Sequence, residues 1–265
     1  MENFTKFGRL FYGIGVACIG IQQFTYADFR PVIIPAWPAW MHSSPIYAYI
    51  FGAILFVAGI LIFAGKNART TSLLLGGLFL LLFIAVQAPF VLFVDIYSPK
   101  HLGLWTNPLK ELAFSGGAFV IAGSFINERT FAKNKNTLLH FLEKLIPLGR
   151  IFFSIMLIAF GLDHFYYTDG VSGLVPSWIP GHIFWTYFAA VALIGGGVGM
   201  ILKVKLKLVA TLVGTMIFLW LIVLHIPRAI ANPYMDKGNE ITSVFEALAF
   251  SGIAFVIAAM DKKLK

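Results

Sequence analysis

The sequence predicts an all-α membrane protein with eight transmembrane helices, arranged as two four-helix bundles that are parallel repeats. Three observations support this fold class. Of the 265 residues, 59% are hydrophobic and 12% are charged, whereas soluble domains carry about 25% charged residues. The hydrophobic residues form runs of about twenty, the length at which a helix crosses a hydrocarbon core. One hydrophobic stretch also occurs twice, near the end of each half of the chain.

The charges of the links between the apolar runs predict the orientation. Successive links lie on alternate sides of the membrane. Fifteen of the 20 Lys and Arg residues lie in the segments on the same side as both termini, and the other five lie in or beside the links on the opposite side. Because basic residues collect on the cytoplasmic side, we expect both termini in the cytoplasm of a bacterial inner membrane protein. The net charge of +8 then belongs to these links and does not indicate nucleic-acid binding. The predicted spans are 10–27, 46–64, 71–94, 110–127, 149–167, 183–202, 208–230 and 244–260.

The repeated stretch reads LAFSGGAFVIA at 112–122 and LAFSGIAFVIA at 248–258. Its one difference is Gly117 against Ile253. Each copy carries small residues one helical turn apart, a pattern that lets helices approach closely in lipid. We therefore interpret the stretch as a structural seam of the bundle.

The similarity between the halves extends beyond this stretch. Residues 8–28 align without gaps onto 149–169. The chain therefore divides into a first four-helix repeat at 1–128, a basic cytoplasmic linker at 129–148 and a second four-helix repeat at 149–265. Because each repeat has an even number of spans, both copies have the same orientation, and a pseudo-two-fold axis along the membrane normal is expected.

The two repeats differ most in their polar residues. The second repeat carries ionisable side chains where the first is mostly neutral. We therefore interpret the first repeat as a degenerate scaffold and place the candidate site in the second. The corresponding pairs are Gln22 and Asp163, Gln23 and His164, Gln87 and His225, Phe90 and Arg228, and Lys110 and Glu246.

Three of the ionisable residues are candidate catalytic groups. His164, His225 and Glu246 lie about 21–26 Å above the inner starts of their spans at the rise of a helix. Ionisable groups at membrane depth usually face the bundle interior or a wet cavity. We expect these three in a periplasm-facing pocket of the outer leaflet, where His164 with Glu246 or His225 forms an acid–base pair.

Four further residues are candidate ligand-binding groups. Arg228 lies three residues after His225, on the same helix face, and suits an anionic or carbonyl group. His182 enters from the sixth span, and Trp178 covers the pocket from an outer link. Asp163 points about 100° away from its neighbour His164 on the helix.

Other interpretations of the same residues stay open. Asp163 and Glu246 with Arg228 would also form an ion-pair clamp without a ligand. His164, His182, His225 and Glu246 are suitable zinc or iron ligands. Alternatively, His164 and His225 could hold a haem. No spacing motif supports either a metal site or a haem site. The single cysteine, Cys18, excludes two-cysteine thiol exchange.

The second half resembles the DoxX-like membrane proteins. The similar segments are GRxF at 149–152, GLDHF at 161–165, VPSWIPGHIFWTYF at 175–188 and HIP at 225–227. This resemblance implies a four-helix unit, a redox-associated membrane subunit and a quinone head group, whose carbonyls His164 and Arg228 would hydrogen-bond. It also implies a redox-complex protein as partner.

Three functions therefore stay open. The first is binding of a quinone-like or other lipophilic ligand, with membrane lipids and a redox complex as partners. The second is a structural or assembly subunit in which the polar cluster is an internal clamp. The third is an acid–base enzyme acting on a lipid.

Overall fold

The computed structural model describes residues 2–95, 100–125 and 137–260, and these residues form helices and no strands. Parts of the predicted linker and of the fourth span, 129–136 and 126–127, lie outside the described residues. The helices are α1 Glu2–Tyr26, α2 Pro45–Ala64, α3 Ala68–Leu82, α4 Thr106–Ser124, α5 Thr137–Glu143, α6 Ile146–Tyr166, α7 Thr168–Ser172, α8 His182–Ile201, α9 Leu206–Trp220, α10 Ile226–Ala231 and α11 Asn239–Met260.

Within the described ranges, seven helical segments are long and apolar enough to cross a membrane. They account for seven of the eight predicted spans and support an integral membrane protein. The segments are Asn3–Tyr26, Pro45–Ala64, Ala68–Val94, Ile146–Tyr166, His182–Ile201, Leu206–Ala231 and Met235–Met260.

The fourth predicted span corresponds to α4, which is not among these seven. Its first turns carry the polar residues Asn107, Lys110 and Glu111, which lower its hydropathy. From Pro108 onward every residue except Lys110 is buried. Because other helices rather than lipid surround α4, it tolerates side chains that a lipid-facing helix could not carry.

α4 and α11 form the centre of the bundle. In the spanning segment Met235–Met260, 67% of an apolar stretch of 18 residues is buried inside the protein. The corresponding share is 22–44% in the other six segments. α1 packs along α2 and α11, whereas α6 packs along α8 and α4. α3 covers α4, and α9 covers α11. Besides the second helix of its own half, the first helix of each half thus packs on the last helix of the other half, an exchange that two successive four-helix bundles do not predict.

The two central helices touch through residues that are 136 positions apart. Lys110 Nζ lies 2.6 Å from Glu246 Oε2, and the rings of Phe114 and Phe250 are 5.1 Å apart. One turn further on, a Cβ on Gly117 would lie 2.3 Å from Cδ1 of Ile253. The repeated stretch is therefore in contact with its own second copy, which agrees with its interpretation as a seam.

Glycines allow the outer helices to cross the central ones closely. A Cβ on Gly8 of α1 would lie 2.5 Å from the carbonyl oxygen of Gly252. On the other side, a Cβ on Gly149 of α6 would lie 2.6 Å from the carbonyl oxygen of Gly116. Such backbone contact supplies the close packing that holds helices together in lipid.

π-helical turns extend the third and seventh predicted spans. α3 continues through Phe83–Gln87 and Phe90–Val94, and Leu221–His225 joins α9 to α10. Pro227 follows two residues after this last π turn, and proline removes one hydrogen bond and crowds the carbonyl four residues earlier. A wider turn relieves that conflict.

Candidate functional site

A cavity of about 440 Å³ lies at the end of the bundle where α6 ends and α4, α8 and α11 begin. Most of its wall is apolar and aromatic, including Trp185, Trp220 and Phe250. Its acidic, lysine and histidine lining residues are Lys110, Asp163, His164, His225 and Glu246.

Lys110 and Glu246 form an ion pair in the cavity wall. The Nζ and Oε2 atoms are 2.6 Å apart, and the two side chains are 14% and 5% exposed. Lys110 comes from α4 and Glu246 from α11. A charge-assisted bond of this length in a desolvated wall fixes both side chains and presents a charged edge to the cavity.

His164 has one ring nitrogen fixed by the backbone. Its Nδ1 lies 2.6 Å from the carbonyl oxygen of Phe160. A carbonyl oxygen can only accept a hydrogen bond, so Nδ1 carries the proton. In the neutral ring Nε2 is therefore an acceptor, which can take a proton from a bound group.

Asp163 and His225 complete the ionisable set. Among the described residues, Oδ1 of Asp163 is buried and has no hydrogen-bond partner. His225 is the last residue of the π turn Leu221–His225. π turns often occur at functional sites, and here the turn places His225 in the cavity wall.

Four of the seven predicted site residues line the cavity: Asp163, His164, His225 and Glu246. The other three lie outside its lining. Trp178 is 72% exposed. His182 begins α8, where its carbonyl oxygen accepts a hydrogen bond from Thr186. Arg228 is bound to Glu240, with Nε 3.0 Å from Oε2.

The ion pairs differ from those of the predicted clamp. The clamp joined Arg228 to Asp163 and Glu246, but Arg228 pairs with Glu240, and Glu246 pairs with Lys110. The reason is the contact between α4 and α11, which brings Lys110 against its counterpart Glu246. Lys110 is a charged cavity residue that the sequence did not identify as part of the site, although its correspondence with Glu246 was a signal.

The three glutamines that correspond to Asp163, His164 and His225 are more deeply buried than those residues. Gln22 accepts a hydrogen bond from Thr242 at 3.1 Å, and Gln87 donates to the carbonyl oxygen of Pro31 at 2.8 Å. The amide nitrogen and oxygen of the Gln23 side chain and both carboxyl oxygens of Glu111 are buried, and the described residues offer them no hydrogen-bond partner. Glu111 is a second residue that the sequence did not single out, although a carboxyl group in an apolar helix is itself a signal.

In the part of the chain that the structure describes, no group of three or more His, Cys, Asp or Glu side chains could hold a metal ion. His182, one of the four candidate metal ligands, is also outside the cavity lining. The cavity instead offers a few hydrogen-bond donors and acceptors among hydrocarbon and indole surface. Such a site suits an organic molecule with a polar head.

No family model, curated protein or solved structure matches this chain.

Proposed function

We propose that the protein is a redox-associated integral membrane subunit that binds a quinone-like lipophilic ligand in the 440 Å³ cavity. The observation that carries this proposal is the distribution of polarity. The cavity has ionisable groups from α4, α6 and α11 and from the π turn after α9, and an otherwise largely apolar wall. Ligand sites are typically apolar clefts of about 300–1,000 Å³ with a few converging polar groups.

The residues present fit a quinone head group. Quinone chemistry transfers two electrons and two protons, and a redox-complex partner would exchange the electrons. His164 Nε2 can accept the proton of a hydroxyl group, because Nδ1 is held by Phe160. Lys110 can donate to a carbonyl oxygen. That role replaces the one expected of Arg228, which pairs with Glu240 and does not line the cavity.

The acid–base roles follow from the same contacts. Glu246 is held by Lys110, so it serves as a fixed charge beside the head group. His225, at the end of the π turn Leu221–His225, also lines the cavity and is the second imidazole available for proton transfer. Asp163 adds a carboxyl group with a buried, unpartnered oxygen, and a hydroxyl or water in the cavity would satisfy it.

For the architecture we propose eight crossings in two repeats, with α4 as the fourth span. Equivalent contacts in the two halves support this arrangement. Ser115 donates to the carbonyl oxygen of Gly76 at 2.8 Å, and Ser251 donates to that of Gly214 at 2.9 Å. With the basic links in the cytoplasm of a bacterium, the cavity lies in the outer leaflet, toward the periplasm.

The test compares two double variants purified in mild detergent. His164→Ala/His225→Ala removes both imidazoles, and Gln23→Ala/Gln87→Ala is the matched control at the corresponding positions of the first half. We expect the absorption spectrum and the mass spectrum of extracted lipids to show a quinone-like molecule in the wild type and the control. We expect that molecule to be absent from the histidine variant. Equal ligand content in all three proteins would contradict the proposal.

A structural subunit is the second candidate, because two ion pairs, Lys110 with Glu246 and Arg228 with Glu240, join different helices. In that case the wild type would carry no ligand. The histidine variant would differ from the wild type only in its thermal stability.

A further inference from the structure

We propose that the ligand has a long hydrocarbon tail, and that this tail lies in an apolar groove between α8 and α9 that is open to the bilayer. The inference rests on the proposed function, because the head of the same molecule occupies the cavity. It assigns the ligand class as an amphiphile with one polar head and one chain that enters sideways from the membrane.

The groove has a volume of about 680 Å³, and Thr215 is the one hydroxyl-bearing residue in its lining. Phe188 of α8 and Leu212 and Leu219 of α9 line it and are exposed. Both helices belong to candidate membrane spans, so this exposed face meets lipid. An occupant of this groove therefore needs an apolar surface.

The groove and the cavity share part of their walls. Trp185, Met216 and Trp220 line both. The two indole rings meet edge to face, with centroids 6.3 Å apart. The boundary thus includes side chains that can rotate, and a molecule with its head beside His164 can extend past them into the groove.

The size of the groove favours a chain over a protein helix. A helix about 10 Å across would fill 680 Å³ with fewer than two turns, too little for a stable contact. A hydrocarbon chain is narrower and can follow the groove. Its lining includes Gly195, where an added Cβ would meet no atom within 4 Å, so the groove is open at this position.

Gly195 provides a way to block the groove without disturbing the bundle. Gly195→Phe places a ring in the open space. Val198→Phe is the matched control, because Val198 is exposed on the same helix and does not line the groove. Both proteins are reconstituted in nanodiscs, and equal melting temperatures verify that each is folded.

The probe is a benzoquinone with a ten-carbon tail that carries a photoreactive diazirine at its end. We expect mass spectrometry to find its label on α8 and α9 in the wild type and in Val198→Phe. We expect severalfold less label there in Gly195→Phe. An excess of the untailed quinone should displace the label, and His164→Ala should reduce it, because the head holds the tail in place.

The outcomes separate the tail from the head. In one outcome, an excess of the untailed quinone does not displace the label in the groove, and His164→Ala does not reduce it. The groove would then bind ordinary acyl chains, and the inference would be overturned. Binding of the untailed quinone, seen as tryptophan quenching, with tail label elsewhere would overturn the tail site and leave the proposed function standing. If neither tryptophan quenching nor label is observed, both the tail site and the proposed function are overturned.

Discussion

Ile253 fills the space beside Gly117. A Cβ added to Gly117 would lie 2.3 Å from Ile253 Cδ1 and 2.8 Å from Tyr12 Cε2. These two residues are also the one difference between the two copies of the repeated stretch. Two isoleucines would overlap at this contact, and two glycines would leave a void. The exception to the repeat is therefore explained by the contact between its copies.

Gly117→Ile should destabilise the protein through overpacking. We expect a loss of about 1–3 kcal/mol in the free energy of unfolding. Ile253→Gly should also destabilise, because it leaves a cavity. The double variant, which exchanges the two residues, should recover part of the loss. The measurement is thermal unfolding in detergent, and losses that simply add in the double variant would contradict direct packing between these residues.

The sequence could predict that His164, His225 and Glu246 lie toward one end of the bundle, but it could not predict their partners. Ionisable residues in apolar runs identified His164, His225 and Glu246, because position along a span gives depth at a constant rise per residue. Sequence position does not say which helices become neighbours. The pairing of Glu246 with Lys110 depends on the contact of α4 with α11, between helices from different halves of the chain.

The number of spans shows a similar limit. Seven segments have the length and apolarity that a lipid environment demands, and the hydrophobic runs predicted them. α4 is surrounded by other helices, so its surface does not have to be uniformly apolar, and hydropathy alone does not identify it as a span. The position of Trp178 outside the cavity has a related cause, since the path of the link between α7 and α8 depends on packing that its own sequence does not reveal.

The ion pair of Lys110 and Glu246 should distinguish a binding site from a clamp. Lys110→Met leaves Glu246 without its buried partner and should lower the free energy of unfolding by about 3 kcal/mol. Lys110→Met/Glu246→Leu replaces both charges with apolar groups and should restore most of that stability. We expect neither variant to retain the ligand that the wild type carries. If the double variant regains ligand as well as stability, the pair is only a clamp.

Glu111 should be tolerant of an apolar replacement. Both of its carboxyl oxygens are buried, and the described residues provide no hydrogen-bond partner for them. Removing a buried polar group that lacks a partner is favourable by about 1–3 kcal/mol. We therefore expect Glu111→Met to raise the melting temperature and Glu111→Gln to change it little. A large loss in both variants would mean that the carboxyl group binds something in the folded protein.

The link between α1 and α2 and the link between α10 and α11 are joined at Asp28, and this contact should depend on pH. Asp28 Oδ2 lies 2.9 Å from Lys237 Nζ, Oδ1 lies 3.1 Å from His42 Nδ1, and Oδ1 accepts the Phe29 amide at 2.8 Å. Burial raises the pKa of the Asp28 carboxyl, but the three hydrogen bonds and the charge of Lys237 together hold that pKa below its ordinary value.

The lowered pKa fixes the sign of the effect. The carboxylate is favoured in the folded state, so its stabilisation is fully present above the ordinary aspartate pKa of about 3.9 and is lost as the pH falls through the lower, folded pKa. Asp28→Asn should therefore be less stable than the wild type at pH 7, and the difference should shrink below about pH 4. Because Lys237 is largely exposed, we expect the ion pair to contribute no more than about 1 kcal/mol.

The corresponding residue of the second half supplies the control for this prediction. Asp169 is exposed, so Asp169→Asn should leave the pH dependence of the wild type unchanged. Melting temperatures in detergent between pH 7 and pH 3 measure all three proteins. A difference between wild type and Asp28→Asn that stays constant to the lowest pH would contradict the lowered pKa. High salt should reduce the difference at pH 7, because a partly exposed ion pair is screened.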